Sequence, residues 1–392
     1  MHIIIKKMNE GVALKKRASD LIFTITLLAI ITATGAAVLL CPTKSFSERE
    51  NRSLQKLPSL SWRSVLSGDF SRLLGDFYSD QLPFREELGA IYSMSELSLG
   101  KRECNGVFVG EGGVLVDLPK KQSQDREILN VNLSSAKALQ GRNGAVCFWV
   151  PRSSDAFGER LPDVLRELIA KDVESVDCQL TERMISEISR CKTPEEHYYR
   201  TDHHWTTKGA YTAYLLLSKE LGYEPYDESF FRVETVATDF LGTSFSKSAL
   251  PESATEPDRI LLYRYNGDGD VSVTDGSSEA KVRGLYDLSA LNGYDKYRVF
   301  LGGNYPHLSV SLPTRSDEGR EKLLLLKDSF ANSLIPFLAL HFDIEAVDPR
   351  YATVAEMRAL CESERFDKTL VLCSLDTILN ERSVGRFLDV IG

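Results

Sequence analysis

The most constraining feature of this chain is an uncharged run near its start, residues 21–41, LIFTITLLAIITATGAAVLLC. It has 21 residues, and a helix needs about 20 to cross the hydrocarbon core of a bilayer. The flanks are asymmetric. Residues 1–20 carry Lys6, Lys7, Lys15, Lys16 and Arg17 against Glu10 and Asp20, a local charge of +3. The whole chain carries −9, so everything beyond the run carries −12. A basic N-terminal flank places residues 1–20 in the cytoplasm and sends the rest across the membrane. The run is longer than a usual signal-peptide core, which favours a retained anchor. A cleaved signal peptide is the alternative, with small residues at Ala33, Gly35, Ala36 and Ala37. A lipid anchor on Cys41 is disfavoured because Leu40 before it is not small.

The acidic exported part argues against nucleic acid, whose phosphates demand a basic surface. The seven cysteines contain no CxxC and fit no metal spacing. Cys178 and Cys191 are candidates for a disulfide outside the cell, with no pairing fixed by sequence.

Residues 42–62 are polar with Pro and Ser and read as a linker. Helical periodicity follows from Phe70 to about Leu99, broken at Asp80-Gln81-Leu82-Pro83-Phe84-Arg85, where Pro83 should end the first helix. Residues 106–116 read as a hairpin around a Gly turn. Helices are expected at 126–140, 161–170, 180–189 and 206–221, and a buried strand at 144–150. Residues 260–300 read as short strands, with a hairpin turn at 264–270. In the last third, strands at 323–326, 344–347 and 370–373 alternate with helices at 330–341, 354–362 and from 375. That alternation predicts an α/β fold: a mainly parallel sheet covered on both faces, with its active site at the C-terminal strand ends.

Three constellations could carry chemistry. In Thr201-Asp202-His203-His204-Trp205 the two-residue spacing of Asp202 and His204 lets the carboxylate orient the imidazole as a general base. A helix-capping Asp with surface histidines is the plain alternative. A metal site lacks a third ligand nearby. In Leu326-Lys327-Asp328-Ser329-Phe330, Ser329 falls at a strand-to-helix turn, where a hydroxyl is presented and N–H groups can hold an oxyanion. Helix capping is again the simpler local reading. Gly302-Gly303-Asn304 is a turn that would also suit an oxyanion hole, and Arg350 follows a strand into the same region.

The stretch Tyr199-Arg200-Thr201-Asp202-His203-His204-Trp205-Thr206-Thr207-Lys208-Gly209-Ala210 resembles the signature of the bacterial DHHW family, relatives of the SGNH-hydrolase-like alginate O-acetylation proteins. Phe46-Ser47-Glu48-Arg49-Glu50-Asn51-Arg52, Asp80-Gln81-Leu82-Pro83-Phe84-Arg85, Asn105-Gly106-Val107, Gly302-Gly303-Asn304 and Lys327-Asp328-Ser329-Phe330 fit the same likeness. Lys327 stands where a Gly-Asp-Ser motif has Gly. The resemblance implies an SGNH-hydrolase-like three-layer domain over 101–392, with a β-rich insertion near 235–300 and a membrane-proximal helical region over 42–100. It also implies Ser329 as nucleophile, His204 as base and Asp202 as its orienting acid. Gly303, Asn304 and Arg350 would serve the oxyanion or substrate. No metal or cofactor is expected. The implied activity is a membrane-tethered O-acetyltransferase or acetylesterase on a cell-surface polysaccharide, with a membrane-bound O-acyltransferase as possible partner. A catalytically silent scaffold or glycan-binding protein of an envelope assembly is the alternative.

Overall fold

The computed structural model describes residues 2–47, 49–50, 52–119, 126–275, 284–312 and 319–391. The chain divides into two compact units, residues 1–92 and residues 93–392.

In the first unit one long helix, His2–Leu40, contains a segment, Ser19–Leu40, long and apolar enough to span a membrane. The polar stretch after it is a short antiparallel hairpin, Phe46–Ser47 against Arg52–Ser53, rather than bare linker. Two sequence motifs meet here. Arg52 pairs with Asp80 at 2.6 Å, Glu50 binds Arg85, and the Gln81 amide bonds the backbone of Lys44 and Gln55. Their polarity thus serves a clasp. Glu48 and Asn51 of the same motif lie outside the described residues. The helices Asp69–Asp80 and Arg85–Ser98 flank Pro83, as the missing proline N–H requires.

The second unit is built on a six-stranded sheet. Its strands are β1 (Val146–Val150), β2 (Ser272–Asp275), β3 (His307–Ser311), β4 (Glu321–Lys327), β5 (Phe342–Val347) and β6 (Lys368–Ser374). The order is β1-β6-β4-β5-β3-β2. The first four strands in that order are parallel, and at the far side β3 pairs antiparallel with both β5 and β2. Side chains alternate across the sheet as the strand period demands. Phe148, Val150, Leu323, Leu325, Leu370 and Leu372 join one core with Ala210, Tyr214 and Leu217 of helix Thr207–Leu221 and Met184 of helix Gln179–Arg190. Cys147, Trp149, Leu324, Leu326 and Val371 join a second core with Leu129 and Leu139 of helix Glu127–Asn143 and Phe387 of helix Ser383–Ile391. The expected α/β fold with a mainly parallel, doubly covered sheet is therefore present.

Three local expectations are corrected. Residues 264–270 do not turn a hairpin. Asp258–Arg264 pairs with Arg232–Phe240 in a separate two-stranded sheet, while β2 joins the main sheet, where Val273 is fully buried. So the β-rich stretch near 235–300 is shared between two sheets. The helix expected over 330–341 is a 3-10 turn, Ser329–Ser333, followed by one short α-turn, Ile335–Leu338. Pro336 cannot donate to the carbonyl four residues back, which breaks the longer helix. Cys178 and Cys191 are free thiols. The Cys178 Sγ faces the Cys147 carbonyl at 3.4 Å and the Cys191 Sγ faces that of Thr193.

Leu325 is fully buried in the central strand β4. Leu325→Ala should cost about 2–5 kcal/mol, the range for a large core truncation. Chemical unfolding of the full chain would register it as a lower midpoint.

Candidate active site

Strand β4 ends on the buried Lys327, and the chain turns at Asp328. Asp328 is extended, and its carboxylate accepts from Phe330 N at 3.1 Å, Ser374 N at 2.7 Å and Thr377 Oγ1 at 2.8 Å. It both caps the 3-10 turn and ties β4 to its neighbour β6. Burial pushes this carboxyl up, but Arg350 and these donors outweigh it and hold it below the ordinary value. Ser329 therefore opens the turn at the C-terminal edge of the parallel sheet. Lys327 points inward, its Nζ donating to Asn332 Oδ1 at 2.6 Å, so its amine is turned away from the cleft that Ser329 lines. Burial pushes its pKa down to about 8.

The histidine loop arrives from before helix Thr207–Leu221. Its ends are pinned by a bridge between Tyr198 and Trp205. Asp258, on the two-stranded sheet, accepts from Arg200 N, Thr201 N and Thr201 Oγ1, which fixes the loop's path. The Trp205 indole donates to Phe330 O at 3.0 Å and to Ser333 Oγ at 2.9 Å, fastening the loop to the serine turn.

These restraints bring three expected residues together. Ser329 Oγ lies 2.7 Å from His204 Nε2, and His204 Nδ1 lies 2.6 Å from Asp202 Oδ1. Asp202 Oδ1 also accepts from His204 N, while Oδ2 accepts from Thr243 N at 2.7 Å and Thr243 Oγ1 at 2.9 Å. Burial alone would raise the Asp202 carboxyl, but His204, His203 and the Thr243 N–H hold it well below the carboxylate range. Burial, aided by the adjacent His203, pushes His204 down to about 4 against the pull of Asp202. With Nδ1–H assigned toward the carboxylate, Nε2 is a neutral acceptor facing the serine hydroxyl. The Tyr297 ring stacks on the imidazole, centroids 4.0 Å apart and 9° from parallel.

Asp202, His203 and His204 are close enough together to hold a cation. Yet both His204 nitrogens and both Asp202 oxygens are engaged, and His203 Nδ1 meets Thr243 Oγ1 at 2.5 Å. That donor set suits an imidazole held in one orientation better than a metal.

A cleft of about 220 Å³ opens over Ser329. All four parallel strands deliver residues to it: Arg152 and Ser153 after β1, Ser329 after β4, Arg350 after β5, and Asp376 after β6. The Arg350 guanidinium is held in two places by Asp348, at 2.9 and 2.6 Å. Gly303 and Asn304 are placed differently. They do not line this cleft. Gly303 O and Asn304 Oδ1 accept from Asn332 Nδ2, behind the serine turn.

Several partners were not foreseen: Tyr297, Asp258, Thr243 and Gly242. Nothing near Asp239-Phe240-Leu241-Gly242-Thr243 marks chemistry in sequence. The reason is steric and long-range. A Cβ on Gly242 would stand 2.3 Å from Asp202 Cβ and 2.4 Å from its Oδ2, so only glycine admits the carboxylate.

The fold and this arrangement together define an α/β protein with an aligned serine, histidine and aspartate at its strand ends. The model of the DHHW protein family matches residues 166–347, which contain all three, so the resemblance read from the sequence is borne out. No curated protein matches the chain. Among solved structures, a DHHW family protein from Eubacterium siraeum is 19% identical, with TM-score 0.54 over 72% of this chain and 95% of that one. Bacillus cereus PatB1 with a sulfonyl adduct is 17% identical, with TM-score 0.54 over 71% of this chain and 96% of that one. The O-acetyltransferase domain of Pseudomonas putida AlgJ is 16% identical, with TM-score 0.38 over 70% and 93%. At these identities the first two likenesses are likenesses of fold.

Gly242→Ala should disturb the Asp202 position and, if this site turns over esters, lower kcat/KM at least roughly tenfold, since misplacement by an ångström can cost 10²-fold. Unchanged kinetics in a folded variant would show that the carboxylate tolerates displacement.

Proposed function

We propose that the chain is an exported, membrane-tethered O-acetyltransferase or acetylesterase acting on a cell-surface polysaccharide. The observation that carries this reading is the continuous hydrogen-bonded line from Ser329 through His204 to Asp202, at 2.7 and 2.6 Å. The resemblance to the DHHW family adds the reaction class. Ser329 Oγ attacks the acyl carbonyl as His204 Nε2 takes its proton. The oxyanion is held by Ser329 N–H, with Arg350 close by in the same cleft. Collapse expels the donor's leaving group, which receives the proton from His204. A sugar hydroxyl, or water in an esterase, then attacks the acyl-enzyme with His204 again as base. Asp202 orients the ring and stabilises the imidazolium without itself taking a proton. Gly303 and Asn304 have a supporting part in this reading, through Asn332, which in turn holds Lys327.

The acids that line the cleft, Asp117, Asp328, Asp376 and Glu381, outnumber its arginines, Arg152 and Arg350, which disfavours an anionic polymer and favours a neutral glycan. The apolar segment Ser19–Leu40 supports tethering, with the basic residues 1–20 on the cytoplasmic side. As the resemblance implies, a membrane-bound O-acyltransferase partner would supply the acyl group.

Release of acetate from a chromogenic acetyl ester tests the nucleophile. Ser329→Ala should lower kcat by about 10³-fold or more. Equal turnover would remove Ser329 from the chemistry. Absence of turnover with ester and with acetylated oligosaccharide would favour the glycan-binding scaffold. The pH profile tests the base. A neutral imidazole is the competent form and its pKa is depressed, so the acid limb of kcat/KM should fall below pH 6.5, the ordinary histidine value. A limb at or above that value would contradict the buried, neutral His204.

A further inference from the structure

The membrane-proximal unit exposes apolar surface that its own packing does not explain. The segment 57–66, LPSLSWRSVL, ends in a short helix, Trp62–Leu66, with no buried residue. Trp62 and Leu66 are each 85% exposed, and Leu57 and Leu60 are exposed beside them in sequence. An isolated exposed leucine needs no account, but five large apolar side chains exposed within ten residues do: Leu57, Leu60, Trp62, Val65 and Leu66.

The apolar helix shows what covers it. Its residues 21–33 are exposed throughout, whereas Thr34, Gly35, Ala37 and Val38 are wholly or partly covered. Tyr78, on helix Asp69–Asp80, donates to Thr34 Oγ1 at 2.9 Å. At 1.5 Å per residue the bare stretch spans only about 20 Å, short of the roughly 30 Å of a hydrocarbon core. The remaining thickness must be taken up by the stretch that Tyr78 touches. If residues 19–40 span the bilayer, this part of the unit sits within the outer leaflet's boundary, where Tyr and Trp rings are favoured.

We propose that residues 57–66, together with Tyr78, form a collar that seats this unit in the lipid headgroup–acyl boundary around the spanning helix. The occupant of the exposed face is the bilayer itself. Bury Trp62, Leu60 and Leu66 there, and their apolar area leaves water as it does for interfacial helices. The clasp of Arg52 with Asp80 and Glu50 with Arg85 gives the collar a fixed shape. This inference rests on the membrane reading of the apolar helix but not on the enzymatic one.

The chain has three tryptophans, and the other two, Trp149 and Trp205, are buried, so Trp62 can be read by difference. The full chain would be reconstituted into phosphatidylcholine vesicles brominated at a shallow or a deep acyl position. The Trp62 emission is the difference between wild type and Trp62→Phe. It should be blue-shifted and roughly halved by the shallow bromines, with weaker quenching by the deep ones, matching a seat at the headgroup–acyl boundary. Flotation of the vesicles is read in parallel. A chain that floats while Trp62 is unquenched overturns the collar and leaves the span intact. Blue-shifted but unquenched emission also overturns it, because protein rather than lipid would then cover the face. A chain that fails to float overturns the span and the collar together.

Discussion

The site depends on keeping one carboxylate ionised where water cannot reach it. Asp202 is almost wholly buried, and a buried charge is tolerated only when its lone pairs are satisfied. Four donors do this: the His204 N–H and Nδ1–H, and the Thr243 N–H and hydroxyl. The requirement reaches far along the chain. It fixes a glycine at 242, because any side chain there would occupy the carboxylate's space. It needs the Asp258 carboxylate of the two-stranded sheet to hold the loop backbone. It couples that loop, through the Trp205 indole, to the turn carrying Ser329. The stacked Tyr297 then leaves the imidazole one orientation.

The sheet serves this arrangement by geometry. Four parallel strands end on one edge, so residues distant in sequence share one cleft. Asp328 spans two of them by bonding Ser374 N and Thr377 Oγ1 across the β4–β6 pair. A residue that reads locally as a helix cap is thus also a joint between strands. The same holds for Lys327. Where a glycine would suit a tight turn, this chain buries a lysine on the inward side and bonds it to Asn332.

What was legible in the sequence follows from how far each signal reaches. The parallel strands expected at 144–150, 323–326, 344–347 and 370–373 announce themselves as apolar runs, and the structure has a strand within or across each. The Asp202 and His204 spacing is local, so it could be read. Meeting Ser329 could only be inferred from the strand-end rule and the family likeness, because 125 residues separate His204 from it. Gly242, Thr243 and Tyr297 act solely through tertiary contact and leave no periodic trace. The hairpin expected at 264–270 failed for a related reason: turn residues say where a chain bends, not which strand it will pair with. The clasp between residues 50–52 and 80–85 leaves no local mark either, since opposite charges far apart in sequence look like two separate polar segments.

In the proposed mechanism His204, oriented by the buried Asp202, activates Ser329. The most direct test is the rate and position of sulfonylation by a small sulfonyl fluoride, read by peptide mass spectrometry on the folded chain. One adduct is expected, on Ser329, forming far more slowly in His204→Asn. Labelling at another residue, or equal rates for Ser329 in both proteins, would contradict it.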